Sequence, residues 1–494
     1  MRLTIGVRRS RFVRFALSTA CVAGSLLVLH ACSDRSTAPT ERRPAASADL
    51  ITDALAAVVG QWSPVSPAPI VQLHLHLLPN GKVLSWGHAG DPQVWDPADG
   101  SFTAVPSPSL LFCAGHAFMP DGRLLVAGGH LADALGLPNT NVFDPATGTW
   151  QAGPPMAKGR WYPTNTTLPN GEVVTISGTD ETGTRVEIPE VWDGTSWRQL
   201  TGAILSLPYY PRTFVAPDGR VFYAGEAWQS RYLDVTGSGS WSDGPYRQYP
   251  TRDYGSAVMY EPGKILYVGG GSPPTNTAEI IDLNDATPTW RFTGSMAFPR
   301  RQMNATLLPT GDVLVTGGTS SPGFNDPTGA VHAAELWNPA TGLWTTLASN
   351  AVTRIYHSTT LLLPDGRVLH TGSGDAGGAV DERSYEIFSP PYLFKGPRPS
   401  ITSASPGVVA YGQSVLVETP DAASIAKVTL IRLGSVTHAF DQAQRLVPLS
   451  FTRELGGVSV QIPASRTVAT PGPYLVFLVN GGGVPSEGQI LRVQ

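Results

Sequence analysis

Cysteine is scarce in this chain of 494 residues: there are three, Cys21, Cys32 and Cys113. So few exclude a disulfide-stapled scaffold, which needs an even and denser set. Charge is scarce as well, at 15% of residues, and 34 Lys and Arg against 38 Asp and Glu give a formal net charge of −4. No basic excess marks a nucleic-acid face. The one long apolar run, FALSTACVAGSLLVL from Phe15 to Leu29, is short for a membrane-spanning helix, which needs about 20 apolar residues. What is plentiful is turn-forming and aromatic: 53 Gly, 44 Pro, 12 Trp, 15 Tyr and 16 Phe. This balance predicts an all-β protein with many tight turns.

The N-terminus accounts for two cysteines. Arg2, Arg8, Arg9, Arg11 and Arg14, with no acid among them, precede the apolar run, and His30-Ala31-Cys32 follows it. Charged start, apolar middle and small residue at the cut predict a signal peptide over 1–31. Leu29-His30-Ala31-Cys32 resembles a bacterial lipobox, which would make Cys32 a lipid-anchored first residue on the cell envelope. Plain cleavage to a periplasmic or secreted form is the alternative. Arg8-Arg9 also suggests twin-arginine export, with Phe12 one place late. Losing the five arginines takes the mature charge to −4 − 5 = −9. Residues 32–57 predict a polar tether. Cys113 is then alone in an oxidising compartment, as a buried small hydrophobe, an intermolecular partner or a reactive group.

One unit recurs from there: an apolar strand, a P-x-G-like turn, a second apolar strand, then Gly. It occurs as LHLLPNGKVLSWG, AFMPDGRLLVAGG, TTLPNGEVVTISG, TFVAPDGRVFYAG, AVMYEPGKILYVGG, ATLLPTGDVLVTGG and TTLLLPDGRVLHTG. The turn glycines Gly81, Gly122, Gly171, Gly219, Gly263, Gly311 and Gly366 lie 41, 49, 48, 44, 48 and 55 residues apart. Asn-Gly and Asp-Gly between apolar runs predict hairpins, and most units add a later Trp-bearing strand. Four strands at this period predict a seven-bladed kelch-type β-propeller over 58–398. Gln61-Trp62-Ser63-Pro64 is expected to supply the outer strand of the seventh blade and fasten the ring. After Pro397-Arg398-Pro399 the pattern changes, and 399–494 predict an immunoglobulin-like β-sandwich.

Equal offsets from the turn glycines should lie at similar depth in the channel. Nine residues back are Gln72, Cys113, Tyr162, Tyr210, Tyr254, Gln302 and His357, with Tyr356 beside the last. Rim tyrosines at strand ends are ordinary; a lone cysteine beside tyrosines and a histidine is not. FCAGHAFMPDG, GRWYPTNTTLPNG and IYHSTTLLLPDGR resemble the copper-radical oxidases, the galactose oxidase and glyoxal oxidase family. KVTLIRLGSVTHAFDQAQRLVPLSF resembles that family's early-set domain, and the likeness covers about 58–494. It implies that Cys113 and Tyr162 form a thioether-linked radical cofactor, that Tyr356 is the axial ligand of one copper ion, and that His357 and His438 are its imidazole ligands. Two imidazoles and phenolate oxygens suit Cu(II). In the family's cycle the axial tyrosinate takes the substrate O–H proton, the cross-linked radical a C–H hydrogen and Cu(II) the electron. Dioxygen restores the site and leaves as hydrogen peroxide. The expected partners are a small aldehyde or primary alcohol and O2, acting on a monomer, with no nucleic acid.

Two departures bear on specificity. Galactose-oxidising members carry a tryptophan over the cysteinyl-tyrosine in a Gly-Gly-Ser-Trp stretch; here Ser177-Gly178-Thr179-Asp180 puts Asp180 in that place. Their N-terminal carbohydrate-binding domain has no counterpart, the tether leading straight into the first blade. An open polar mouth at Asp180, with Tyr210, Tyr254 or Trp228 as substitute shield, predicts a glyoxal-oxidase-like preference. Asp180 capping a turn is the alternative. His74 and His76 share a strand face and could bind a metal, but a pair lacks the third ligand. His88, His130 and His370 are expected to be structural or exposed, and Asn165 and Asn304 fit glycan acceptor motifs. A non-catalytic kelch lipoprotein binding glycans or a protein partner is the competing function, and no motif supports a hydrolase.

Overall fold

The structure, a computed structural model, describes residues 54–494 except 376–378, 406 and 443. The expected signal peptide, the lipid-anchor candidate Cys32 and most of the tether lie outside the described residues. The tether's last residues do not remain extended: 54–59 form a short helix that buries Ala56.

Seven sheets follow, each built on an inner hairpin. The innermost strands are His74–Leu77, Gly115–Phe118, Thr164–Thr167, Arg212–Val215, Ser256–Glu261, Asn304–Leu307 and Ser358–Leu362. The seven turn glycines have φ between 77° and 94°, the left-handed region that only Gly enters without cost. That is why the repeat is legible at those positions. From the second blade to the seventh each innermost strand packs on the next, and the seventh packs on the first; between the first and second, Ser435–Thr437 packs on Gly115–Phe118. Six of the seven are buried along their whole length, as strands covered on both faces must be.

The ring is fastened as expected. Gln61–Trp62 pairs antiparallel with Ser384–Ser389, the third strand of the seventh blade, and Ser66–Pro67 continues the pairing. Trp62 packs on Phe388 at 4.8 Å between ring centroids and donates its indole N–H to Ala348 O of the sixth blade at 2.8 Å.

The C-terminal part is a two-sheet sandwich, of four and five strands, with its own apolar core. It sits on the ends of the inner hairpins. Arg432 donates to Phe118 O, Thr429 to Pro309 O and Lys427 to Thr310 O. From it the hairpin of Ser435–Thr437 and Phe440–Asp441 enters the channel. Ser435–Thr437 pairs antiparallel with His74–Leu77, so the first blade becomes a six-stranded sheet.

Two consequences can be measured. Trp62→Ala removes the indole that ties the seventh blade to the sixth. Large-to-small changes of buried aromatics cost about 3–5 kcal/mol, and Trp62 is only half-buried. The thermal midpoint should therefore fall by several degrees, and an unchanged midpoint would show that the N-terminal strand does not fasten the ring. The second consequence concerns His370. It is fully buried, neither ring nitrogen has a hydrogen-bond partner, and desolvation holds its pKa well below 6.5. The folded chain stays neutral there while the unfolded chain takes up a proton, so stability is complete above pH 6.5 and drains away as pH falls below it. His370→Leu should flatten that decline by about 1.4 kcal/mol per pH unit. Equal slopes of stability against pH in the two proteins would contradict this.

Candidate active site

Six of the seven register positions have left-handed backbone: Cys113 (φ 63°), Tyr162 (65°), Tyr210 (43°), Tyr254 (55°), Gln302 (60°) and His357 (67°). Non-glycine residues hold such angles at a cost of about 1–3 kcal/mol each, so surrounding structure must impose them. Two devices do so here. Backbone bonds link neighbouring blades: Tyr162 N donates to Cys113 O at 2.8 Å, Tyr210 N to Tyr162 O at 2.9 Å and Gln302 N to Tyr254 O at 2.8 Å. Fully buried arginines just upstream pair with a glutamate on the third strand of their own blade: Arg160 with Glu190, Arg252 with Glu279, Arg300 with Glu335 and Arg354 with Glu386. Breaking one partner of such a pair leaves a buried charge and costs about 3–5 kcal/mol.

The kink decides which rings meet. Neighbouring residues on a strand point to opposite faces; a left-handed residue cancels that alternation. Trp161 therefore stacks on Tyr162 at 3.6 Å and 6° between planes, and Tyr356 stacks on His357 at 3.9 Å.

These residues converge with His438. Tyr162 Oη lies 2.7 Å from Tyr356 Oη and 3.5 Å from His357 Nε2. The His438 ring is 4.6 Å from that of His357 and 4.5 Å from that of Tyr162. His438 sits at the tip of the C-terminal hairpin, where it and Ala439 also have positive φ (47° and 64°). Blade residues grip this tip: Arg212 donates to His438 O and Ser256 to Ala439 O. His357 donates Nδ1–H to Gly374 O at 2.7 Å, which makes Nε2 its accepting nitrogen, facing Tyr162 Oη. His438 Nδ1 is held by Thr437 Oγ1 at 2.6 Å, and its Nε2 is buried without a partner. Cys113 is a free, fully buried thiol packed with Tyr162, Tyr210 and Phe112, and it interacts with the Tyr162 phenol.

Burial sets the charge state. Desolvation, reinforced at Tyr162 by Cys113 and Tyr356 and at Tyr356 by Tyr254 and Cys113, pushes both phenols well above 10. Desolvation pulls His357 down to about 3 and His438 well below its ordinary value. Without a cation the cluster is neutral: two phenols, two imidazoles and a thiol. A cation at their meeting point would be welcomed by both Nε2 lone pairs and would lower the phenol pKa values. Two N and two O donors match the preference of Cu(II). Among the described residues no three His, Cys, Asp or Glu side chains form a metal-holding group, so a metal here depends on the tyrosines.

A cavity of about 440 Å³ opens onto the cluster, lined by Tyr162, Tyr356 and His357 with Trp161, Tyr209, Tyr254, Phe112 and Phe324, and rimmed by His88, Asp133 and Asp375. Behind it a chamber of about 80 Å³ touches His438, Tyr210, Arg212, Glu226 and Tyr254.

Several expected roles change. Asp180 is not over Tyr162. Its carboxylate caps a turn, accepting from Thr182 N and Thr184 N, with Lys158 at 3.5 Å, and it lines a separate surface groove. Trp228 is half exposed, packs at a tilt against Tyr246 and is absent from the lining. Tyr210 lines the inner chamber, not the mouth, and Tyr254 lines both. The shield over Tyr162 is Trp161, missed because strand alternation would send it to the other face. His88 lines the mouth, and His130 accepts from the Trp161 indole at 3.2 Å. Asn165 and Asn304 are buried, out of reach of any glycan-attaching enzyme.

Comparison with known proteins agrees with this geometry. The family profile described as Glyoxal oxidase N-terminus matches residues 270–392, and that described as Galactose oxidase-like, Early set domain matches 398–493. The galactose oxidase of Gibberella zeae is 31% identical over 488 residues, covering 88% of this chain and 71% of that protein. The aldehyde oxidase GLOX of Vitis pseudoreticulata is 30% identical, covering 77% and 82%. A fungal alcohol oxidase of the AA5 family, solved in complex with copper, superposes with a TM-score of 0.81 at 26% identity, covering 88% of this chain and all of that one.

Proposed function

This chain belongs to the galactose oxidase and glyoxal oxidase family of copper-radical oxidases, and on that premise we propose that Tyr162, Tyr356, His357 and His438 hold one copper ion, with Cys113 joined to Tyr162 as a thioether. The observation that carries the reading is the convergence of two phenol oxygens 2.7 Å apart with His357 Nε2 and the orphaned, buried His438 Nε2. A propeller that only bound a partner would gain nothing from burying such a group unpaired.

Bound copper supplies a one-electron acceptor and lowers the pKa of the phenols it contacts. The side chains do the rest. Tyr356 Oη takes the substrate O–H proton. The oxidised Tyr162 ring takes a C–H hydrogen at its Oη, which is within 3 Å of Tyr356 Oη, so one carbon–oxygen unit of substrate reaches both. The substrate thereby loses two hydrogens, and dioxygen gains them as hydrogen peroxide. The indole of Trp161, flat against Tyr162, excludes water and contributes about 1 kcal/mol of stacking beyond its buried area.

The proposed substrates are small aldehydes, taken as hydrates, and primary alcohols. Asp180 no longer supports that preference. It rests instead on the Glyoxal oxidase N-terminus match over the stretch that bears Tyr356 and His357, and on a mouth whose lining is chiefly aromatic. Export, with lipid attachment at Cys32, is part of the same proposal and rests on the sequence of residues 1–32. One chain supplies every group, so a monomer suffices.

Copper-loaded protein should release peroxide with glyoxal or methylglyoxal at a higher kcat/KM than with galactose. Cys113→Ala or Tyr162→Phe should keep the fold and lose nearly all turnover. Equal or better efficiency on galactose would overturn the substrate assignment, and full turnover by either variant would overturn the site.

A further inference from the structure

At Tyr162, Tyr210 and Gln302 the amide of the register residue binds the carbonyl of the register residue one blade back, whereas Tyr254 N donates to the Glu226 carboxylate. Cys113 departs from the first arrangement as well. Gln72 O, the carbonyl one blade back, is occupied by Thr359 Oγ1, and Cys113 N donates to His74 Nε2 at 3.2 Å. The reason is topological: the C-terminal hairpin lies along His74–Leu77 and packs on Gly115–Phe118, separating the first two blades at that edge.

A backbone amide can only donate, so the direction of the whole chain follows. His74 accepts at Nε2 and carries its proton on Nδ1, which donates to His116 Nε2 at 3.1 Å. His116 then carries its proton on Nδ1 and donates to Ser435 Oγ at 2.6 Å. Ser435 has one proton left, and it goes to His76 Nδ1 at 3.0 Å. All four side chains are fully buried, and His74 and His76 are braced flat against Trp86 at 4.9 and 4.4 Å. Every role in the relay is fixed by its neighbour, and Ser435 ties it to the hairpin that bears His438.

We propose that His74, His116 and Ser435 are positioning residues for cofactor assembly: they hold the Cys113 amide so that its sulfur addresses the Tyr162 ring. The inference rests on the reading that Cys113 and Tyr162 become linked. Linkage forms one S–C bond to a ring carbon beside the phenol oxygen and breaks one S–H and one C–H bond. The two hydrogens and two electrons pass to dioxygen, giving hydrogen peroxide. Cys113 is clamped at both ends of its peptide, its amide by His74 and its carbonyl by Tyr162 N, with φ held at 63°. Without the first clamp the strained residue is free to relax and the thiol to turn from the ring.

The test is a time course of linkage. Metal-free protein is mixed with copper(II) and air, quenched in acid, and digested, and the linked Cys113–Tyr162 peptide pair is scored by mass against the free thiol. His74→Leu keeps apolar contact with Trp86 but cannot accept, and should link at least about tenfold more slowly, the order expected when a reacting group loses its orientation. His74→Gln keeps an acceptor for the Cys113 amide and should link close to the wild-type rate. Ser435→Ala should be slowed to an intermediate degree, and it decides the matter if His74→Leu does not fold by its melting curve. Wild-type rates in His74→Leu and Ser435→Ala, or equal slowing in His74→Gln and His74→Leu, would overturn the proposal. Failure of the wild-type protein to link would instead overturn the cross-link on which it rests.

Discussion

Three residues of strand pairing, Ser435–Thr437 against His74–Leu77, decide what this molecule can do. A propeller channel alone presents Cys113, Tyr162, Tyr356 and His357 around a mouth, with His88 only at its rim. The pairing carries a hairpin from the sandwich into the channel and sets its tip residue, His438, among them. The sandwich contacts that flank the hairpin, from Arg432 and Thr429 to the blade ends, fix where it enters. The C-terminal domain is therefore part of the site, and its stability and the site's geometry are one problem.

The second constraint is backbone strain spread around the ring. Six of the seven blades turn into their innermost strand through a left-handed residue, and burial, cross-blade amides and Arg–Glu pairs hold these residues there. Six repeats of a strained turn are a scaffold on which side-chain identity can vary without moving the backbone. Tyr, Cys, Gln and His occupy equivalent positions and aim at one axis. Chemistry then arises from which side chain stands at each position, which is how one fold hosts many functions.

The architecture was legible in the sequence because its punctuation is local. A glycine at each hairpin turn is required by positive φ, so its spacing reports the blade period, and counting from it placed Cys113, Tyr162 and His357 at one level. What was not legible depended on departures from regular strand geometry. Trp161 beside Tyr162 should face away from it on an extended strand, and only the left-handed angle at Tyr162 stacks the two rings. Asp180 seemed to occupy a functional place by alignment of loops, yet the loop forms a turn that uses the carboxylate itself. His74 and His76 looked like an incomplete metal pair; pairing with a segment some 360 positions later turned them into links in a hydrogen-bond relay.

The central claim is that His438, from a different domain, joins His357 on the same copper ion. Electron paramagnetic resonance of the Cu(II)-loaded protein tests it most directly, because each bound imidazole nitrogen splits the copper signal. The account predicts splitting from two nitrogens in the wild-type protein and from one in His438→Ala. A two-nitrogen pattern that survives His438→Ala would contradict it.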